Sequence, residues 1–271
     1  LLNLDYPKKL IEIIVVDDKS KDNTLGIVER YARKHSNIRV IVNSRNSGGA
    51  AEPTNMGVKY ARHDIVAVAD DDSAPVPEAL RRMLGFLQKD RLTKAVTCAV
   101  LARSRDTFMQ KLQAIEYTSI SWSRKLLDSV DSVYVTPGPF ALYDKKALLE
   151  VGLFDTSNMT QDIEIVWRLM SKGYRARMCL AARVYSETPR TLGKWFRQRV
   201  RWNIGGTQTL LKYRNLVFRN GMLGAFIIPF FSVSLFLGLF GLGMFVYLLS
   251  RRLVVSYLST HYSLAANTAV L

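Results

Sequence analysis

Read from the N-terminus, apolar residues come in short runs separated by amphipathic stretches. Ile11 to Val16 is rich in β-branched residues, as expected of a strand buried on both faces. Asp22 to Lys34 follows with Ile27, Val28 and Tyr31 on one helical face, then a second strand at Ile38 to Val42. The pattern repeats, with a helix from Pro53 to Arg62, a strand from Ile65 to Ala69, a helix from Pro77 to Gln88 and a strand from Ala95 to Leu101. This βαβα order predicts an α/β fold with a doubly wound, mostly parallel sheet covered by helices.

Past Leu101 the periodicity is less regular. A long helix is expected from Arg105 to Leu127. A strand, a Gly/Pro turn and a second strand are expected across Val133 to Tyr143, and a helix from Gln161 to Ser171. Leu192 to Phe218 is basic and amphipathic, with Leu192, Trp195, Phe196 and Val200 on one side, the pattern of a helix at a membrane surface. Met222 to Ser250 then runs 29 positions without a charge. That exceeds the roughly 20 residues needed to cross a bilayer core as a helix. Arg251 and Arg252 close the run, and Leu253 to Leu271 is again uncharged, the expected start of a second membrane segment.

Charge sharpens this picture. The chain of 271 residues carries a net +15, which by itself points to nucleic acid. Ten Lys or Arg and no acid follow Glu187, however, leaving 28 basic against 23 acidic residues before it. The excess borders the apolar segment, so a membrane surface is the expected partner and no nucleic acid is. Eight basic residues lie between Arg190 and Arg219 and only two follow the span, which places its N-terminal side in the cytoplasm. No signal peptide is visible. A composition 48% hydrophobic and 23% charged excludes a disordered chain. Two distant cysteines, Cys98 and Cys179, and three scattered histidines exclude a disulfide framework and a zinc site. A metal here would be held by oxygen, hence Mg²⁺ or Mn²⁺.

The candidate chemistry lies where strands end. Asp17 and Asp18 close the first strand, and Asp70, Asp71 and Asp72 close the third. In open α/β sheets ligands bind at the carboxyl ends of strands. Carboxylates gathered there repel one another unless a cation neutralises them. A divalent metal would do so and would draw in a phosphate-bearing ligand.

Four stretches, "VVDDKSKDNT", "VAVADDDS", "TQDIEIVWRL" and "RQRVRW", stand in an order that resembles the family-2 inverting glycosyltransferases. The closer likeness is to the membrane-embedded, processive synthases of cellulose, hyaluronan and poly-N-acetylglucosamine. The resemblance implies a GT-A-like nucleotide-sugar fold over 1–189, a basic interfacial helix over 190–220, a membrane helix over 221–250 and a further membrane segment from 251. It assigns the nucleotide of a UDP-sugar donor to Asp18, with Asp17 and Asp22 nearby; Asp22 would equally cap the following helix. Asp70 and Asp72 become the metal-binding D-x-D pair, Asp70 lying closer to the donor, with an Asp71–Asp72 register left open. Asp162 becomes the general base that deprotonates the glycan acceptor, with Glu164 in reserve. The family usually has Glu at the position of Gln161. In the fourth motif Arg201 would contact the diphosphate, while Gln198 and Trp202 would hold the acceptor sugar. Gly138, in "TPGPFALYDKKALLEVGLFD", would form a tight turn on the acceptor side.

Two departures matter. The family begins with a strand and helix ahead of "LNLDYP", so the chain reads as a fragment of a longer multi-pass protein, and need not be active alone. The Gly-Lys often found near "SGGAAEPTNMG" is Gly49-Ala50 here, so one cation near the donor is missing. The expected activity is transfer of a hexose or N-acetylhexosamine onto a growing β-linked polysaccharide. The rivals are a single transfer to a lipid or lipid-linked acceptor, and a non-catalytic module that binds sugar nucleotides or glycan.

Overall fold

A computed structural model describes the backbone of residues 1–268 and the side chains of residues 1–262. The first half follows the sequence pattern closely. Strand β1 (Ile13–Asp17) leads to α1 (Thr24–Lys34), β2 (Ile38–Val42), α2 (Ala51–Tyr60), β3 (Ile65–Val68), the two-residue β4 (Ala74–Pro75) and α3 (Ala79–Lys89). Then come β5 (Thr93–Ala102), α4 (Phe108–Asp128), β6 (Ala141–Asp144), α5 (Lys145–Glu150), α6 (Gln161–Ser171), β7 (Arg175–Ser186), α7 (Leu192–Tyr213) and α8 (Ile228–Thr268).

The sheet corrects the expected topology. Strands β1 and β2 pair in parallel, but the remaining strands form a separate mixed sheet in the order β3-β6-β5-β7-β4. Only β5–β7 is parallel in it. The cause is β6, which enters between β3 and β5 and runs against both. A single inserted strand of that sense turns two neighbouring pairs antiparallel, and mixed sheets of this kind are common in α/β folds. The strand expected at the start of Val133 to Tyr143 does not form, and the Thr136 N–H donates to the Asp162 carbonyl at 3.4 Å. β1 pairs only with β2 and β3 only with β6, so each keeps an open edge. A groove of about 370 Å³ lies between them, lined by Ile13, Val16, Val58, Ile65, Val68 and Asp70.

Two apolar clusters hold the layers together. Tyr143, Leu148, Phe154 and Trp167 pack with Leu223, Ile227 and Ile228, which ties α6 to the base of α8. Met83, Val96, Phe140, Leu142 and Val184 form the second cluster under α3, and Trp202 of α7 packs against it. Helix α4 is turned inside out. A capping box of Thr107 and Gln110 starts it, and its buried face carries Gln110, Gln113, Tyr117, Ser121, Arg124 and Asp128. Phe108, Leu112, Ile115, Trp122 and Leu126 face outward.

Helix α7 is clamped to α6 by charge and by close contact. The fully buried Glu164 carboxylate accepts from Lys212 Nζ (2.6 Å), Tyr213 OH (2.8 Å), Arg168 Nη2 (2.6 Å) and Arg168 Nε (3.0 Å). Such a carboxylate is tolerable inside only because it is saturated with donors. One helical turn after Arg201, Gly205 meets Thr160: a Cβ there would lie 2.2 Å from Thr160 Oγ1. Helix α8 passes through Arg251 and Arg252 without a break, so the two apolar segments separated in the sequence form one helix as far as Thr268. Leu223–Tyr262 is long and apolar enough to cross a membrane. Its outward side chains are apolar nearly all round, which requires an apolar medium or partner helices.

Gly205→Ala is expected to lower the thermal midpoint, because overpacking at a backbone contact costs about 1–3 kcal/mol. An unchanged melt of the purified protein would show that α7 does not rest on Thr160.

Candidate active site

Asp70 follows β3, and its backbone is fixed by one turn. Asp70 N–H donates to the Gly138 carbonyl at 3.2 Å. A Cβ on Gly138 would lie 2.7 Å from Asp70 Oδ2, so only glycine allows the carboxylate this position. The same turn holds the other acid, since Thr136 N–H donates to the Asp162 carbonyl. The Thr136 hydroxyl is itself 2.7 Å from Tyr143 OH. Gly138, expected on the acceptor side, lies against the Asp70 carboxylate. Thr136 and Tyr143 were missed in the sequence because nothing about a Thr before Pro-Gly points to a tether between two acids.

Loss of hydration, then the charges of Asp72, Asp162 and Asp71, push the Asp70 carboxyl up from 3.8 to about 6, against the pull of Arg201. Burial also raises Asp162, opposed by its bond from Ile163 N–H and by the charges of Arg124 and Arg201. Asp70, Asp72, Asp162 and Arg201 therefore share one electrostatic site. Arg124, on the buried face of α4, belongs to it as well and was not foreseen. Its only sequence signal is its place seven residues after Tyr117, on the same helical face.

The other expected residues are placed as follows. Asp72 is exposed and accepts from Ser73 Oγ at 3.1 Å and Ser186 Oγ at 3.4 Å. Asp17 is buried and accepts from Ser20 N–H. Asp18 accepts from Asn43 Nδ2 (2.8 Å), Ser47 N–H (2.9 Å) and Ser47 Oγ (2.7 Å). These bonds outweigh desolvation and hold its carboxyl below the usual range. They also spend three of its roughly four acceptor positions on the 43–47 loop. Asp22 is exposed and accepts from Thr24 N–H at 3.0 Å, at the start of α1. Gln161 lines the groove beside Asp70 and Asp71. Glu164 is removed as a reserve base, because it is buried and fully hydrogen-bonded within the α6–α7 clamp. Gln198 is half-buried on α7, and its Oε1 has no hydrogen-bond partner. One face of Trp202 is covered by the Arg199 guanidinium, 4.1 Å from the ring centroid. Arg199 is held in turn by Glu116 at 2.6 Å.

Among the described residues no group of three His, Cys, Asp or Glu side chains is arranged to hold a metal. Asp70 and Asp72 nevertheless suit Mg²⁺ or Mn²⁺. Mg²⁺ commonly takes one or two carboxylates and completes its shell with substrate phosphates and water. Burial first, and then the neighbouring charges of Asp72, Asp162 and Asp71, raise Asp70, and a bound cation would offset those charges.

The sequence profile described as "Glycosyltransferase like family 2" matches residues 1–205. The chain is 35% identical over 216 residues to the poly-β-1,6-N-acetyl-D-glucosamine synthase of Staphylococcus aureus strain COL, covering 78% of this chain and 51% of that protein. It is 33% identical to the Staphylococcus epidermidis protein of the same name over 213 residues, with the same two coverages. The chain thus spans about half the length of the curated relatives it matches. Among solved structures it resembles a Pyrobaculum calidifontis mannosyltransferase in complex with GDP-Man and Mn²⁺, with a TM-score of 0.63 and 23% identity, over 79% of this chain and 58% of the other. It also resembles S. aureus TarS in complex with UDP-GlcNAc, with a TM-score of 0.51 and 22% identity, over 70% and 53% of the two chains. These structural likenesses establish a GT-A-like fold.

The raised Asp70 has a consequence for stability. An acid that holds its proton more tightly in the fold makes stability fall as pH rises, here between 3.8 and about 6. Asp70→Asn is therefore expected to melt higher than wild type at pH 7.5 and to match it near pH 4. An equal difference at both pH values would contradict the assignment.

Proposed function

The chain belongs to the family 2 glycosyltransferases, and from that premise we propose that the intact protein is a membrane-bound, metal-dependent inverting transferase that extends a β-linked polysaccharide of N-acetylglucosamine from UDP-GlcNAc. The observation that carries the reading is the turn at Thr136–Gly138, which ties the backbones of Asp162 and Asp70 two residues apart, with the charge of Arg201 acting on both carboxyls. A carboxyl raised towards working pH is suited to proton abstraction. Asp162 takes the proton of the acceptor hydroxyl as that oxygen attacks the anomeric carbon. Arg201 binds diphosphate oxygens in fork geometry and remains charged throughout. Asp70 and Asp72 would hold Mg²⁺ or Mn²⁺, which when bound would supply Lewis-acid stabilisation of negative charge on the diphosphate. Asp17, Asp18 and the 43–47 loop form the nucleotide side, and Asp22 serves chiefly to start α1. Gln198 and the partly exposed Trp202 meet the acceptor.

The names of the curated relatives support the choice of sugar and of a polymeric product. The apolar helix Leu223–Tyr262, preceded by a basic stretch, supports a membrane location with the catalytic domain in the cytoplasm. The open edges of β1 and β3 suit one further strand, which the family resemblance places ahead of Tyr6.

The test is turnover of UDP-GlcNAc by the full-length protein in membranes with Mn²⁺ or Mg²⁺. Wild type is expected to release UDP and build long product. Asp162→Asn is expected to lose about 10²-fold or more in rate while binding donor within twofold of wild type. Retained turnover in Asp162→Asn would remove it as the base. Short lipid-soluble product would replace the polymerase reading with single addition.

A further inference from the structure

A second cavity, of about 500 Å³, lies away from the acids and is larger than the groove beside Asp70. Its size is within the range of small-molecule sites. Three separate segments wall it. Lys8, Lys9 and Glu12 come from the single helical turn Lys8–Leu10 and the residues just ahead of β1. Lys34 ends α1 and Arg39 lies on β2, while Arg62 follows α2. The five residues of β1, at about 3.3 Å each, put roughly 16 Å between this cavity and Asp17. Five Lys or Arg here meet one acid. Glu12 is committed to the wall: its carboxylate accepts from Arg62 N–H at 3.0 Å and pairs with the guanidinium groups of Arg39 and Arg62. Among the described residues Lys8, Lys9 and Lys34 make no ion pair, and all three are exposed.

We propose that this cavity binds a small molecule carrying two phosphate groups, at a site separate from the nucleotide side at Asp17 and Asp18. The proposal does not depend on the transferase reading above. Helix ends account for part of the positive charge. α1 ends at Lys34 and α2 at Tyr60, whose carbonyl accepts from Arg39 at 3.2 Å. Each such end carries about half a negative charge, so together with Glu12 they offset about two of the five cations. About three positive charges are left over, and two phosphate groups, at about −1.5 to −2 each, supply that amount. Ammonium groups on flexible stems, reaching in from separate segments, can close on phosphate oxygens as charge-assisted donors. His35 also lines the cavity, its ring stacked on Tyr31 with centroids 6.3 Å apart, and Ile11 adds an apolar wall. The cavity can therefore take an organic group beside the phosphates. A soluble metabolite and a lipid headgroup can both present that chemistry.

The measurement is the Kd of inorganic pyrophosphate for the full-length protein in phosphatidylcholine nanodiscs, by calorimetry, with EDTA present so that no divalent cation assists binding at Asp70 and Asp72. Lys9→Gln and Lys34→Gln are each expected to weaken binding about fivefold, the worth of one ion pair in water. Both residues are exposed, so the melting midpoints should match wild type. Lys89→Gln, at an exposed position outside the cavity, should bind like wild type. Discs of phosphatidylglycerol and of cardiolipin at equal charge separate the two sources. Weaker pyrophosphate binding in cardiolipin discs alone, lost in Lys34→Gln, would uphold the site for a two-phosphate lipid headgroup. Equal binding in both would uphold it for a soluble molecule. No pyrophosphate binding by wild type, or equal weakening by Lys89→Gln, would overturn the proposal. Binding that ignores both Lys9→Gln and Lys34→Gln would place the anion elsewhere, and would overturn it too.

Discussion

Everything at the site depends on one turn that holds two acids close to each other. Thr136 ties the backbone of Asp162, and Gly138, two residues on, receives the backbone and carboxylate of Asp70. Like charges held close favour protonation, and the charges of Asp72, Asp162 and Asp71 add to the burial that raises Asp70. The glycine is what makes the approach sterically allowed, and the mixed sheet fixes its place. β6 leaves the turn directly and runs between β3, which delivers Asp70, and the central β5. The antiparallel insertion that alters the topology is thus also what brings the two acids together.

Helix α7 links this cluster to the apolar part of the chain. Its first half carries Gln198, Arg201 and Trp202, and its second half is locked to α6 through Gly205, Lys212 and Tyr213. Since α6 begins with the turn bearing Asp162, the clamp sets Arg201 relative to Asp162 through two helices rather than a loop. Glu164 is central to that lock, and burial there makes sense only with its full set of donors. Soon after α7 the chain enters the long apolar helix, so the same element faces the chemistry at one end and leads to the candidate membrane span at the other.

Much of the fold was legible in the sequence because hydrophobic period and strand-end acids are local signals. β2 and α6 fall on the expected residues, and the other early elements within a few positions. What was not legible depends on partners distant in the chain. β7 was missed because arginines at 175, 177 and 183 break its apolar pattern, though its inward residues are buried. The sense of β6 follows from its neighbours, not from its four residues. Acids in motifs could be named, but the roles of Glu164, Gly138 and Arg124 could not. A carboxylate saturated by donors 48 residues away looks, in sequence, like any acid one turn into a helix.

The central claim is that the Asp70–Asp72 edge is built to share a divalent cation with a nucleoside diphosphate. The most direct measurement is Mn²⁺ binding to the full-length protein followed by electron paramagnetic resonance, with and without UDP. Two carboxylates without a third protein ligand predict weak Mn²⁺ binding alone and much tighter binding once UDP is present, with the gain lost in Asp72→Asn. Tight Mn²⁺ binding that ignores UDP, or a UDP effect that survives Asp72→Asn, would contradict the account.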